Sequence, residues 1–475
     1  MLRTSRPAAS SLLPLLLLGC TGGPKVGPDY EPPKAETQVP QKLEATGSPV
    51  ASAAGIVAGA PVNSDWWVTF GDPQLTALIT SAVSSNLDLQ MAESRVREAR
   101  AARGITAGAF APQVGVGTTM GKVQGQTGDA NYGYTTPSFE ASWEIDVFGG
   151  LRRTLEAAEA DLAAMEEGRR ALLVSLLGEV GRNYCELRGT QRQLAVARQN
   201  VALQGTFVQL IDARRQTGLA SDLDYSQAAT QLELTRATLP RLESDAQKSI
   251  YRLSVLLGGE PDALNALLGP PAALPPVPPT IPVGLPSELL QRRPDIRVAE
   301  REMAAACARV GVATADLYPK FGLTASLSMD NLWVGPTVSW PLFTGGQIVN
   351  NIKVADERLA QALLRYRSTI LLALEDVEGS ITAFSQELVR RTTLFQAVAE
   401  AQRAVDAAQI QFDQGLIDQL PVIVAQQQKF TADRLLAQSE QTLLVNLVAV
   451  YKALGGGWEH AEPPPPPAGQ DEEKD

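Results

Sequence analysis

The side chains with the clearest claim to nucleophilic or metal-ligating chemistry are Cys20, Cys185, Cys307 and His460. A thiolate or serine nucleophile needs an imidazole beside it, and a structural zinc needs four Cys or His ligands at close spacing. The single histidine lies beside a proline run near the C-terminus, so any triad or His-ligated metal would have to recruit a tail residue. Three cysteines make neither a disulfide framework nor a four-cysteine zinc site. No Gly-rich phosphate loop or clustered acids stand in for them, so neither catalysis nor a cofactor or metal is expected. Across 475 residues Lys plus Arg total 41 and Asp plus Glu total 52, a formal charge of −11. Nucleic-acid binding needs a basic face and is disfavoured.

One cysteine does sit in a reactive context. Arg3 and Arg6 precede an apolar run from Leu12 to Leu18, too short for a bilayer span and laid out like a secretory leader. The run ends Leu17-Leu18-Gly19-Cys20, which resembles the lipobox of bacterial lipoproteins. That resemblance implies cleavage after Gly19 and acylation of Cys20, each buried CH2 anchoring by about 0.8 kcal/mol. Thr21 in place of Asp implies release to the outer membrane. Loss of the two leader arginines takes the charge to −13. The Ala-, Gly-, Ser- and Pro-rich stretch from Gly47 to Ser64 reads as a flexible spacer within an extended segment, residues 20–65.

The body is a tandem repeat. Gly104–Pro112 (GITAGAFAP) matches Gly311–Pro319 (GVATADLYP) at an offset of 207, and Thr217-Gly218-Leu219 matches Gln414-Gly415-Leu416 at 197. The change of offset puts an excursion of about ten extra residues between Pro112 and Phe148. The repeats are read as residues 66–269 and 287–458, joined by a strap at 270–286 that holds eight prolines and cannot be helix. The acidic, Pro-rich residues 459–475 read as a disordered tail.

Each repeat is expected to carry one very long helix. No proline interrupts Ser138 to Leu239 or Leu342 to Leu420, and Leu173, Val180, Leu187, Leu194, Val201 and Val208 recur every seven residues. Such a heptad implies coiled-coil-like packing. The helices Leu151–Gln216 and Gln347–Gln414 would each be about 100 Å long and end at Gly218 and Gly415, where the chain reverses. Helices return over Ala220–Leu257, kinked at Pro240, and over Val422–Leu454. Single shorter helices open the repeats over Leu75–Ala109 and Glu288–Leu317.

Between the helices the period falls from seven to two. Phe139, Ala141, Trp143, Ile145 and Val147 alternate with Ser138, Glu140, Ser142, Glu144 and Asp146. Val114, Val116 and Met120, then Phe321, Leu323, Ala325, Leu327 and Met329, then Leu332, Val334, Val338, Trp340 and Leu342, mark three more strands. About ten residues of alternation is the length of a membrane β-strand. Four strands cannot close a barrel, and open edges are forbidden in lipid, so copies must pool them; three copies give twelve.

These residues together resemble the TolC-like outer-membrane factors, in the lipoprotein branch that serves drug and metal efflux. The match runs through Val26-Gly27-Pro28-Asp29-Tyr30-Glu31-Pro32-Pro33, Trp66-Trp67-Val68-Thr69-Phe70-Gly71-Asp72-Pro73-Gln74-Leu75, Arg292-Arg293-Pro294-Asp295-Ile296 and Tyr451-Lys452-Ala453-Leu454-Gly455-Gly456-Gly457-Trp458. The resemblance implies a mainly α fold with a membrane β-barrel: a homotrimer sharing one twelve-stranded barrel in the outer membrane above a periplasmic helical barrel. It implies docking of a periplasmic adaptor and, through it, an inner-membrane transporter of the resistance–nodulation–division type. The tip residues Gly218, Leu219, Gly415 and Leu416 match the adaptor-docking motifs, although the glycines also read simply as helix caps. The family often narrows its aperture with acids where this chain has Pro421 and Val424. A periplasmic gate of Asp418, Leu420, Pro421 and Val424 is therefore expected to be mainly apolar, with Asp222 and Asp224 as alternative charge. The function implied is passive export of small molecules, with type I protein secretion as the alternative.

Overall fold

The computed structural model describes residues 24–33, 40, 42–123, 132–329 and 331–459. The leader, Cys20 and all of the expected tail except Glu459 lie outside them.

After a short 3-10 turn at Ala45–Gly47 come α1 (Pro49–Ala53), β1 (Ile56–Ala58), a second 3-10 turn at Trp66–Phe70, α2 (Pro73–Ser85) and α3 (Leu87–Gly108). Strands β2 (Gln113–Val123) and β3 (Tyr132–Ile145) lead into α4 (Gly150–Gln216). Helices α5 (Asp222–Arg236), α6 (Leu239–Leu256) and α7 (Asn265–Leu268) precede β4 (Ile281–Val283). The second repeat runs α8 (Pro286–Arg292), α9 (Pro294–Ala315), β5 (Lys320–Ser328), β6 (Leu332–Ser339), α10 (Gln347–Asp413) and α11 (Gln419–Ala453). The two long helices, α4 and α10, have 67 residues each, as the unbroken windows require.

Several expected elements differ. The opening helix of the first repeat is broken at Asn86, whose extended backbone ends α2 and whose side chain caps α3. That of the second is broken before Pro294, whose ring forbids the preceding residue a helical conformation. Pro240 ends one helix and starts another rather than kinking a continuous one. The heptad also shifts. Leu173, Val180 and Leu187 are fully buried, but Leu194, Val201 and Val208 are half-buried, and the buried line continues through Ala197, Gln204 and Ile211. A break of this kind locally changes the winding of a coiled coil.

The chain forms two compact units, and four of the five boundaries fall at or within α3, α4, α9 and α10. Among the described residues the first comprises 24–33, 93–123, 132–168, 295–329 and 331–369. It contains the four-stranded sheet, ordered β2-β3-β5-β6, with every neighbour antiparallel. Most apolar and polar residues occupy opposite faces, as alternation requires, with Tyr134 and Trp333 falling on the polar face and Lys122 on the apolar one. Pro137, inside β3, stands one residue beyond the last β3–β5 pair, so its missing N–H costs that ladder nothing; Pro336 lies in the edge strand β6. In the same unit Arg153, 1 % exposed, gathers the segment after the leader: its guanidinium donates to Val26 O (3.1 Å), Gly27 O (3.3 Å) and Asp29 Oδ1 (2.7 Å). Gly27 has φ +84°, and a Cβ there would lie 2.4 Å from the Gly311 Cα. The VGPDY sequence is thus read by close backbone contact.

The second unit, described over residues 40, 42–92, 169–294 and 370–459, holds the main helical core. Trp66 is fully buried, stacked on Tyr451 at 5.5 Å and edge-on to Trp67 and Phe70. Asp72 Oδ1 caps α2 by accepting from Gln74 N (2.8 Å) and Leu75 N (3.3 Å). Its other oxygen accepts the Tyr184 hydroxyl at 2.6 Å, and burial with this bond pushes that phenol up to about 12. The spacer expected to be flexible is instead folded: Ala51, Ile56 and Val62 are buried. β1 pairs in parallel with β4, Ile56 opposite Ile281, so the proline strap also supplies a strand. Glu459, placed in the expected tail, is held by Arg292 at 3.2 Å.

Candidate functional site

No cluster of three or more Cys, His, Asp or Glu side chains arranged to hold a metal occurs among the described residues. Burial pushes the Cys185 and Cys307 thiols up, away from the reactive thiolate. No helix among the described residues is long and apolar enough to cross a membrane. Two other features of the chain are candidate functional sites: the sheet and the helical turns.

The sheet leaves two strands unpaired on one side, β2 and β6. Its apolar face is exposed: Val114, Val116, Met120, Phe139, Val334 and Val338 are each more than half open. A groove beside the sheet is lined by Gln113, Ser142, Glu144, Thr324, Thr337 and Ser339, with Trp143 and Phe321 at its wall. The polar alternates gather along this recess, while the strand side chains most open to the surroundings are apolar. An exposed apolar face beside a polar recess is the arrangement of a strand wall between lipid and lumen. At the junctions with the helices two indoles act alike. Trp143 Nε1 donates to Phe110 O at 2.8 Å, and Trp340 Nε1 donates to Leu317 O at 3.0 Å. Each ties a strand end to the chain just beyond the preceding helix.

The two reversing turns are built alike. Gly218 has φ +78° and Gly415 φ +72°, a region closed to most side chains. Gly218 N donates to Arg215 O (3.0 Å) and Leu219 N to Arg214 O (2.8 Å). Gly415 N donates to Phe412 O (3.0 Å) and Leu416 N to Gln411 O (2.9 Å). These are paired Schellman caps, which satisfy the last carbonyls of α4 and α10. They present Leu219 and Leu416, 78 % and 69 % exposed, outward. Behind them Phe207, Ile211, Ala228, Phe412, Val422 and Ile423 pack into one cluster.

The expected gate residues follow the second turn. Asp418 is the N-cap of α11 but makes no side-chain capping bond. Leu420 and Val424 are exposed, 51 % and 42 %, and Pro421 sits in the first turn, where its missing N–H is harmless. The alternative acids are otherwise engaged. Asp224 accepts from the Ser221 N–H and hydroxyl, both at 2.8 Å, while its own N–H bonds Ser221 Oγ, closing a capping box on α5. These bonds, the backbone one foremost, hold its carboxyl below the usual value. Asp222 pairs with Arg215 at 3.0 Å. Sequence reasoning passed over Leu223, 65 % exposed, which the 197-residue offset makes the counterpart of Leu420. It also passed over Arg153, whose acceptors lie more than a hundred residues away.

The sequence model of the outer membrane efflux protein family matches twice, over residues 78–259 and 285–456, one match in each repeat. The chain is 30 % identical to outer membrane protein OprJ of Pseudomonas aeruginosa over 481 residues, covering 96 % of this chain and 97 % of OprJ. It is 29 % identical to nodulation protein T of Rhizobium leguminosarum bv. viciae over 464 residues, covering 95 % and 93 %. The structure of the outer-membrane channel OprN superposes with a TM-score of 0.84 at 33 % identity, covering 92 % of this chain and all of that one.

Proposed function

The chain belongs to the outer membrane efflux protein family, and we propose that it works as a homotrimeric passive duct that passes drugs or metal ions out of the periplasm. As a member of that family it is an efflux component of the cell outer membrane. The observation that carries the trimeric duct is the four-stranded sheet with an apolar outer face and two unsatisfied edges. Lipid offers no partner for those edges, so they must be met by other copies. The duct does no chemistry of its own. A transporter of the resistance–nodulation–division type supplies the energy and an adaptor joins it to the tips around Gly218-Leu219 and Gly415-Leu416. The small glycines allow close approach, and the leucines are apolar knobs. Closure at rest falls to Leu420 and Val424, with Pro421 setting the direction of the returning helix and Asp418 on the rim.

Cys20, outside the described residues, is the proposed lipid attachment site. Labelled palmitate is expected to mark the wild type and not Cys20→Ser; equal labelling would reject acylation there. The export function is tested by deleting the gene. Loss should raise sensitivity to small toxic compounds and plasmid-borne copies should restore resistance. A normal toxicity profile combined with loss of a secreted protein would favour protein export instead.

A further inference from the structure

The repeat has a numerical property that the strand ladders obey. Outgoing strands β2 and β5 are related by 207 residues, and returning strands β3 and β6 by 197. Moving both members of a β2–β3 pair by these offsets lands on an observed β5–β6 pair. Gln113↔Ser142 becomes Lys320↔Ser339, Val114↔Ala141 becomes Phe321↔Val338, and Thr119↔Thr136 becomes Ser326↔Trp333. All eight β5–β6 pairs follow. The junction indoles obey the same pair of offsets, Trp143 to Trp340 and Phe110 to Leu317. The two hairpins are therefore related by one operation that preserves hydrogen-bond register.

Applied to the β3–β5 pairing, the operation names what the open edges want. We propose that β6 of one copy pairs antiparallel with β2 of the next in a single register: Thr337 opposite Thr119 of the partner subunit, Ser339 opposite Gly117 of the partner subunit and Trp340 opposite Val116 of the partner subunit. These are the images of Glu140↔Ser326, Ser142↔Thr324 and Trp143↔Leu323. The inference rests on the trimeric duct proposed above and adds its seam.

Two independent features fit this register. The first is facing. Thr337 and Ser339 meet Thr119 and Gly117 on the polar side, while Trp340 meets Val116 on the apolar side; a slip of one residue would reverse every pairing of faces. The second is glycine placement. The register puts Gly335 opposite Gly121 of the partner subunit, the image of Ser138↔Ser328. A Cβ on Gly335 would lie 2.9 Å from the Trp333 ring, and one on Gly121 2.6 Å from the Tyr134 ring. Each glycine is roofed by an aromatic of its own chain, so the seam closes with a side-chain-free pair between the two rings.

Cysteine pairs in the full-length lipoprotein test the register. Thr337→Cys with Thr119→Cys probes the polar face, and Trp340→Cys with Val116→Cys probes the same register from the other face. Directly opposed Cβ atoms lie about 4.5–5.5 Å apart, within reach of mild oxidation or a short bis-thiosulfonate. Because each copy supplies both edges, the bulk of the protein should shift to a covalent trimer on non-reducing gels. Thr337→Cys with Gly117→Cys, a two-residue slip on the same face, should remain monomeric. Native mass spectrometry of the uncrosslinked variants runs alongside. If trimers form but only the slipped pair links, the register is wrong and the duct stands. If both matched pairs stay monomeric in trimers, the register is again rejected. If no variant and no wild type is trimeric, the duct itself fails.

Discussion

Asn86 and Arg293 hold the same place in the two repeats: each is buried at the break between an opening pair of helices, and each donates to the end of the returning helix. Asn86 Nδ2 meets Leu256 O at 2.8 Å, and Arg293 Nη1 meets Ala453 O at 3.0 Å. The donors are 207 residues apart and the acceptors 197, the offsets that govern the strands. The duplication has preserved a contact while changing its chemistry from amide to guanidinium. Asn86 also caps α3 by accepting from Leu89 N, whereas Arg293 further reaches Ala373 O and Asp376.

Removing either donor should therefore weaken the helical unit. A buried carbonyl left without a donor costs about 1–3 kcal/mol. Asn86→Ala strands one carbonyl and loses a cap; Arg293→Ala strands the Ala453 carbonyl, removes a second bond to Ala373 O, whose helical partner remains, and breaks the ion pair with Asp376. Thermal unfolding in detergent, followed by tryptophan fluorescence, should show a lower midpoint for both and the larger drop for Arg293→Ala. Unchanged midpoints would show that these contacts contribute nothing.

The tip glycines separate backbone strain from bulk. A Cβ on Gly218 or Gly415 would meet nothing within 4 Å in the single chain, but both residues have positive φ. Valine there costs about 1–3 kcal/mol at each turn, whereas asparagine tolerates the conformation. The double valine variant should lose resistance while trimers persist in the membrane. The double asparagine variant should keep the turns; if it too loses export, the adaptor requires an uncovered backbone. Export that survives both valines would remove the tips from docking.

Acid should loosen the first tip through Asp224. Its carboxyl is held below the ordinary value by Ser221, so its contribution to the folded turn is complete above the usual carboxylate range. That contribution is lost as pH falls through the lowered value. Hydrogen exchange of the α5 amides should quicken at acid pH in the wild type and show no such step in Asp224→Asn. An identical acid step in the variant would assign it to another group.

The gate prediction opposes apolar contact to charge. Apolar rings block ions by dewetting. Leu420→Ser with Val424→Ser should raise single-channel conductance in planar bilayers and sensitise cells to large antibiotics, and Leu223→Ser should add to it. Asp418→Asn should change conductance much less. If Asp418→Asn opens the channel and the paired serine variant does not, the gate is electrostatic.

Local periodicity made the long helices, the four strands and both glycine turns legible in the sequence, because each rests on spacing along a few turns or one pleat. The break at Asn86 was not legible, since neither proline nor glycine marks it and its cause is an acceptor 170 residues away. Residues 47–64 read as a spacer because small residues carry little hydrophobic signal. They are ordered by Ile56 pairing with Ile281, a contact no local pattern records. The heptad misled beyond Leu187, where the buried line moves to Ala197 and Ile211. The charges after the first tip were visible, but not their engagement by Ser221 and Arg215.

The central claim is that one chain supplies a third of a barrel and two further copies close it. Native mass spectrometry of the full-length protein, released from outer membranes in mild detergent, measures this directly. Three copies in one assembly is the expected result. A stable monomer or dimer as the membrane species would contradict it, because two open strand edges would then face lipid.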